Sequence, residues 1–357
     1  MIGISLLTLV PRISGGSETY ARELVRALTR VGRLDYRVFA PTIAPDAIDG
    51  LPGTTVRSYH AGQSMPQRVR AMALATALPG PIRREIGAAN LRALHFPLTI
   101  TIPRKSRLPV TTTLLDVQHE FFPRFFSRAE LAYRRVAYRA AVRESRLVIA
   151  ISEHVAETIV ERLRVRPERV RVIHLGIDLE QLRPVDLGRQ PILLYPANGW
   201  AHKNHLRLFE AFASLRQKWP ELRLVLTGSG LEKLPAQSGV EVRGYVARDD
   251  LIRLYQTAEA LVFPSLYEGF GLPPLEAMAC GCPVAVARAG ALPEVCGDAA
   301  QYFDPTDPEA IAAAVDDLLA DREGAVERGL RRAQGFSWDN CALRHDDVYE
   351  ELLSGGG

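Results

Sequence analysis

Two glutamates eight positions apart, Glu268 and Glu276, flank a turn made of Gly269-Phe270-Gly271 and a Pro273-Pro274 pair. An ionised carboxylate only accepts hydrogen bonds, so it suits the hydroxyls of a sugar. The glycines let a ligand approach the backbone closely. The prolines suit a first helical turn, where an N–H has no intrahelical partner to lose. Gly281 suits the stop of the same short helix. The reading places Glu268 in the turn before that helix and Glu276 in its first turn. The amides of Phe270, Gly271 and Leu272 form the helix N-terminus, where backbone donors and the helix dipole favour a phosphate. Backbone for a diphosphate and carboxylates for hydroxyls together describe a site for a sugar nucleotide. The plainer alternative is a capped helix with an acidic first turn.

Other residues extend this chemistry. Lys203 lies in the stretch from Tyr195 to His205, between an apolar run and a helical pattern, where an ammonium is placed as a point charge for phosphate or is simply a solvated lysine. Gly228, in Thr227-Gly228-Ser229-Gly230, and Tyr245-Val246, after Gly244, close two further apolar runs and belong on the nucleotide side or are mere turns. Gly15-Gly16 sit between the first apolar run and a helix, without the Gly-x-Gly-x-x-Gly pattern of dinucleotide enzymes. Asp116 and His119 follow a run ending at Leu115; they are candidates to hold the transferred sugar or the acceptor hydroxyl, or an Asx turn beside a surface histidine. Phe121, Phe122, Phe125 and Phe126 precede Arg128, Arg134, Arg135, Arg139 and Arg143, and with Gln67–Leu78 they suit an anionic membrane surface or a charged helix face over core aromatics.

The elements that must position these residues read as parallel α/β units, since short apolar runs alternate with helical patterns. Strands are expected at Ile2–Leu9, Tyr36–Ala40, Thr55–Tyr59, Leu94–His95, Val110–Leu115, Leu147–Ile151 and Val170–Ile173, with a helix over Glu18–Val31. After a polar, proline-bearing break at Leu182–Pro191, strands are expected at Ile192–Tyr195, Arg223–Thr227, Gly239–Arg243, Ala260–Phe263 and Val284–Ala287, with helices over Asn204–Lys218 and Asp249–Thr257. Loops at the carboxyl ends of such strands are where open α/β sheets bind ligands. The chain of 357 residues is too long for one ordinary core, and the break divides it into 1–183 and 184–340.

The run Pro264–Gly281 resembles the glutamate-x7-glutamate signature of the retaining glycosyltransferases of family 4. That resemblance implies an α/β chain of the GT-B fold: two facing Rossmann-like domains with an interdomain cleft, an acceptor-side domain over 1–183 and a donor-binding domain over 184–340. It also implies a last helix, 341–354, that returns to pack on the first domain. In the family the first glutamate contacts the donor sugar, the second usually the ribose, and the turn amides the diphosphate, roles that fall on Glu268, Glu276 and Phe270–Leu272. A glycine pair in the first loop, here Gly15-Gly16, brings further amides to the diphosphate, and the segment at Tyr245-Val246 meets the base. Lys203 matches the family's lysine. The arginine normally about five positions earlier is replaced by Asn198, so His202 or Arg12 is left to substitute, or the diphosphate is held less strongly. A histidine the family usually carries at the end of the Asp116 strand is Leu115 here. The Trp200-x-His202-Lys203-Asn204-His205 version resembles a bacterial surface-polysaccharide subgroup, often mannosyltransferases using GDP-mannose.

The resemblance implies a metal-independent, retaining hexosyltransferase with no cofactor beyond its nucleotide diphosphate sugar donor, acting on a saccharide or lipid-linked saccharide. A sugar-nucleotide epimerase of the same shape and a non-catalytic sugar-nucleotide binding protein remain alternatives. A nicotinamide dehydrogenase is disfavoured by the missing glycine fingerprint. A net charge of +3 suits a phosphate-bearing ligand or an anionic membrane surface and falls short of a nucleic-acid footprint. The four cysteines show no metal spacing, which points to a reducing cytoplasm, with peripheral membrane contact as a further expectation. Gly355-Gly356-Gly357 reads as a flexible tail.

Overall fold

The computed structural model describes residues 1–11, 15–60, 62 and 64–354, so Arg12 and the terminal glycines lie outside the described residues. The chain forms two compact units. The first comprises Met1–Gly176 with Trp338–Gly357, and the second Ile177–Ser337. The divide therefore precedes the expected 183/184, and the final helix starts at Trp338.

In the first unit the strands are β1 (Ile2–Ser5), β2 (Tyr36–Pro41), β3 (Gly53–Val56), β4 (Ala93–Phe96), β5 (Val110–Leu114), β6 (Leu147–Ala150) and β7 (Val170–Val172). All pair in parallel, in the order β3-β2-β1-β4-β5-β6-β7. Both faces of a parallel sheet are covered, so its strands are buried along their length, as β1, β4 and β6 are. The first run is shorter than expected. It stops being a strand after Ser5 because Leu9 N–H turns back to the Leu6 carbonyl at 2.9 Å, yet Leu6, Leu7, Leu9 and Val10 stay buried. Helix Gly16–Val31 buries Tyr20, Ala21, Leu24, Val25 and Leu28, and helix Trp338–Ser354, which buries Cys341, His345, Val348 and Leu352, packs against it.

That last helix is also clasped by polar groups. Tyr349 Oη lies 2.7 Å from His95 Nδ1, and His95 Nε2 lies 2.8 Å from Thr113 Oγ1. Thr113 Oγ1 lies 2.9 Å from Tyr20 Oη, Tyr20 Oη 2.9 Å from His345 Nε2, and His345 Nδ1 2.8 Å from the Cys341 carbonyl. The carbonyl can only accept, so His345 carries its proton on Nδ1 and Nε2 accepts from Tyr20. Tyr20 then accepts from Thr113, Thr113 from His95 Nε2–H, and His95 Nδ1 from Tyr349. One backbone oxygen thus sets the direction of five hydrogen bonds. Burial keeps both imidazoles neutral, pushing His345 down to about 4 and His95 well below the usual histidine range.

In the second unit the strands are β8 (Gln190–Pro196), β9 (Arg223–Thr227), β10 (Val240–Gly244), β11 (Ala258–Phe263), β12 (Val284–Ala287) and β13 (Ala300–Phe303). They pair in parallel in the order β10-β9-β8-β11-β12-β13, so the strand order reverses between β8 and β11. Such a reversal opens a crevice at the carboxyl ends of the two strands. β13, a part-exposed edge strand, was not expected from the sequence. The entry and exit of this unit, Ile177 and Ser337, form a parallel β-bridge.

Candidate functional site

The loops after β8 and β11 meet at the reversal point. Lys203 Nζ lies 2.5 Å from Glu268 Oε1, both side chains largely covered at 12 % and 14 % exposure. The loop after β8 is shaped by its own backbone: Tyr195 Oη donates to the Lys203 carbonyl at 2.6 Å, and Lys203 N–H donates to Trp200 at 2.9 Å. Asn204 follows in the left-handed region, φ 62°, and its amide donates to the Pro264 and Pro305 carbonyls at 3.1 and 2.7 Å. One side chain therefore holds the loops after β8, β11 and β13 together. Phe263 lies beneath the ammonium, 5.2 Å from ring centroid to Nζ. Lys203 in turn helps burial push His205 down to about 4, leaving that imidazole neutral behind the site.

Glu268 is fixed from the other side by Ala291 N–H, which donates to its carbonyl at 3.0 Å. Gly290, φ 57°, permits this approach: a β-carbon there would lie 2.7 Å from the Glu268 nitrogen and closer still to its carbonyl oxygen. Helix Leu272–Ala279 then begins at Gly271, φ 116°, with Pro273 and Pro274 at its start. The helix therefore starts where expected, with Gly271 and Leu272 at its head and prolines that have no N–H to offer. Cys280 caps its far end and Gly281 follows with φ 74°.

Glu276 departs from expectation in two ways. It sits in the second helical turn, four residues after Leu272, and it is buried at 6 % exposure. Its Oε1 lies 2.8 Å from Arg248 Nη1, and Tyr255 Oη donates to its Oε2 at 3.1 Å. Burial raises its pKa, and Arg248 opposes that rise. Arg248 was not singled out from sequence; its position just after Tyr245-Val246, at the start of helix Arg248–Thr257, was the available signal.

Asn198, at the position of the missing arginine, is engaged through its side-chain oxygen. Its Oδ1 accepts from Ser229 N–H at 2.8 Å and so pins the turn after β9. Gly228 N–H reaches the Gly244 carbonyl at 2.8 Å, and its φ of 138° brings it against the Ala197 carbonyl, where a β-carbon would lie 2.6 Å away. These contacts join the loops after β8, β9 and β10 along one sheet edge. On that edge Tyr245 is 71 % exposed, and Val246 is half-buried beside it. Lys203, Glu268, Gly228, Tyr245, Val246 and the Phe270–Leu272 turn therefore share the carboxyl edge of one sheet.

The remaining candidates belong to the first unit. Gly15 and Gly16 follow the β1 run and open helix Gly16–Val31 at the reversal point of that sheet, β1 to β4. Asp116 follows β5 and accepts from Gln118 N–H at 3.2 Å, an Asx turn, while its charge also acts on Arg134 and Tyr138. His119 has no exposed surface, so the expectation of a cleft or surface histidine is not met. Its ring packs edge-on against Tyr138, 4.6 Å between centroids, and burial with Arg134, Arg135 and Arg139 pushes it down to about 4. The aromatic–arginine stretch forms local pairs: Arg134 over Phe126 at 4.6 Å, Arg124 over Phe125 at 5.3 Å, and Phe122 stacked on Phe125 at 5.3 Å.

Comparison with known proteins agrees with this geometry. Residues 181–332 match the family model "Glycosyl transferases group 1", and residues 14–181 match "Glycosyltransferase Family 4". The O-antigen chain mannosyltransferase B of Escherichia coli is 30 % identical over 269 residues, covering 68 % of this chain and 70 % of that protein. The MMP alpha-(1->4)-mannosyltransferase of Mycolicibacterium hassiacum is 32 % identical over 288 residues, covering 75 % and 68 %. Among solved structures, sucrose-phosphate synthase from Thermosynechococcus elongatus aligns over 99 % of both chains with a TM-score of 0.76 at 20 % identity. Anabaena HepE in complex with UDP and glucose aligns over 98 % of this chain and 99 % of that one, with a TM-score of 0.72 at 18 % identity.

Proposed function

The chain belongs to the family 4 glycosyltransferases and has their GT-B fold of two Rossmann-like units, and from that premise we propose that it transfers a hexose, mannose in preference, from a nucleotide diphosphate sugar to a saccharide hydroxyl with retention of configuration. One observation carries the reading: the Lys203–Glu268 pair stands at the strand-order reversal of the second unit, beside the helix start at Gly271-Leu272. An ammonium and a helix N-terminus are the donors a departing diphosphate requires, and Glu268 keeps a second carboxylate oxygen for a sugar hydroxyl. Negative charge grows on the β-phosphate as the glycosidic bond breaks, and fixed donors in a part-buried site stabilise it without reorganising. The charges already on the protein supply this stabilisation, so the reaction proceeds without a divalent ion. The relatives' names favour mannose, and GDP-mannose is the donor to test first. Glu276 binds the ribose, and the Tyr245 segment meets the base.

The test is incubation of the purified chain with GDP-, UDP- and ADP-sugars in the presence and absence of saccharide acceptors, followed by anomeric analysis of the product by NMR. Transfer with retention supports the proposal. Inversion at a ring carbon without an acceptor supports the epimerase alternative, and tight binding with no turnover supports a binding protein. Either of those outcomes removes the transferase reading.

The acceptor side carries one observation of its own. Residues 57–84 contain Arg57, Arg68, Arg70, Arg83 and Arg84 and no carboxylate. In this segment a groove of about 440 Å³ is lined by Tyr59, Arg70, Ala71, Leu74, Leu78 and Ile82. The one cation lining this apolar groove, among the described residues, is Arg70, and that pairing suits an anionic amphiphile, and so a lipid-linked acceptor met at the membrane surface. No helix among the described residues is long and apolar enough to cross a membrane. Flotation with anionic and with neutral vesicles separates this reading from a freely diffusing acceptor: binding only to the anionic vesicles supports it, and binding to neither refutes it.

A further inference from the structure

Glu276 presents a problem that its own helix does not solve. It is a carboxylate with 6 % exposure, and the groups facing it are Arg248 and Tyr255, from helix Arg248–Thr257, and the Cys280 thiol from its own helix. Tyr255 supplies a neutral hydrogen bond. Cys280, itself pushed up to about 12 by burial and by Glu276, supplies no positive charge. Arg248 is the cation facing the carboxylate among the described residues, and it opposes the effect of burial most, with the Tyr255 hydrogen bond adding to it. Arg248 is also 41 % exposed and lies three residues after Tyr245, on the edge where Gly228 and Val246 lie. One side of its guanidinium therefore faces the buried carboxylate, and the rest faces solvent at the nucleotide end of the site.

We propose that Arg248 is a positioning residue for nucleotide recognition: it holds Glu276 as an oriented carboxylate whose remaining lone pairs accept from the vicinal hydroxyls of the ribose. Each carboxylate oxygen offers about two acceptor sites, and Arg248 and Tyr255 take one on each, leaving one apiece for a diol. A protonated carboxyl would lose one of those acceptors and present a donor in its place. The inference rests on the reading of Glu276 as the ribose ligand and adds the group that makes that ligand competent. It also gives this chain a cation on the ribose side, while the arginine position near the diphosphate holds Asn198.

The test is calorimetric binding of GDP and UDP, and of their 2′-deoxy forms, to the full chain and to Arg248→Ala, Arg248→Lys and Glu276→Gln. Arg248→Ala should weaken binding of the tighter nucleotide roughly tenfold or more at pH 6.5, and the deficit should shrink to within about threefold by pH 9 as the unassisted carboxylate ionises. Arg248→Lys should recover most of the affinity at pH 6.5. The wild-type preference for the 2′-hydroxyl should fall in both Arg248→Ala and Glu276→Gln, an outcome that a purely structural role for Arg248 does not produce. If Arg248→Ala is unstable, Arg248→Gln keeps the side-chain stem and answers the same question. Wild-type affinity and 2′-hydroxyl preference in Arg248→Ala, with both lost in Glu276→Gln, would overturn the role of Arg248 alone. Unchanged binding in Glu276→Gln, or no nucleotide binding by the wild type, would remove the ribose reading and this inference with it.

Discussion

Each unit builds a polar cluster from scattered residues, and the two clusters are opposites. In the first unit, Tyr349, His95, Thr113, Tyr20 and His345 form a neutral chain in which every donor finds an acceptor, and solvent is excluded. In the second unit, Lys203 with Glu268 and Arg248 with Glu276 are charged, and three of the four side chains keep a solvent-facing portion. A saturated buried network has no valence left for a ligand, so it specifies a fold. A charged pair with lone pairs to spare is held ready for something that arrives later. Polarity inside a protein is thus no guide to function until its unused valences are counted.

The sharpest way to break this contrast is at Lys203 and Glu268. Lys203→Ala and Glu268→Ala should each lower the transfer rate by about 10²–10³, the usual effect of removing a preorganised contact to developing charge. Circular dichroism and the unfolding midpoint should stay close to wild type. Rates within tenfold of wild type in both variants would move the chemistry elsewhere.

The neutral chain makes the next largest prediction, in stability rather than rate. His345 titrates near 4 when folded and near 6.5 when unfolded, so the unfolded state binds more protons as pH falls below about 6.5. Stability is fully present above that value and is lost progressively down to about 4, by roughly 3 kcal/mol for this residue alone. His95 and His119 of the first unit shift the same way, and His205 does so in the second. Hydrogen exchange across pH 7.5 to 4.5 should therefore show β4, β5 and helix Trp338–Ser354 loosening before the strands of the second unit. Loosening in the reverse order would show that the chain is not the acid-sensitive element.

Two smaller effects sharpen the comparison. Gly290→Ala adds a side chain at positive φ against the Glu268 backbone and should cost about 1–3 kcal/mol of local strain, displacing Glu268. Its transfer rate should fall about tenfold while nucleotide affinity changes less, a split that steady-state kinetics can resolve. Asn198→Ala frees the Ser229 amide and should cost only about 1 kcal/mol, with rates within a few-fold of wild type. A collapse of activity in Asn198→Ala would mean that this side chain touches the donor after all.

Much of the architecture was legible because strands buried on both faces write unbroken apolar runs, as residues 224–226 and Val284–Ala287 do. The same logic misled at the N-terminus, where Leu6, Leu7 and Leu9 are apolar because they are buried, although the chain there is turning. Apolarity reports burial, and only hydrogen-bond pairing makes a strand. That Lys203 and Glu268 share one sheet edge was legible because each lies in the loop after a recognisable strand. The partners of Glu276 were not, since the pairing with Arg248 depends on how two helices dock. The neutral chain in the first unit was likewise unreadable: residues 20, 95, 113, 345 and 349 share no spacing, and only the fold brings them together.

The bridge between Ile177 and Ser337 has a consequence for how such enzymes diversify. The second unit is one unbroken segment whose two ends lie side by side, so it is a cassette with adjacent splice points. Exchanging it between relatives calls for two joins at a single place and leaves the β1 strand and the last helix of the recipient uncut. If the second unit is the donor side, as proposed above, such an exchange changes the sugar donor while the acceptor preference is inherited.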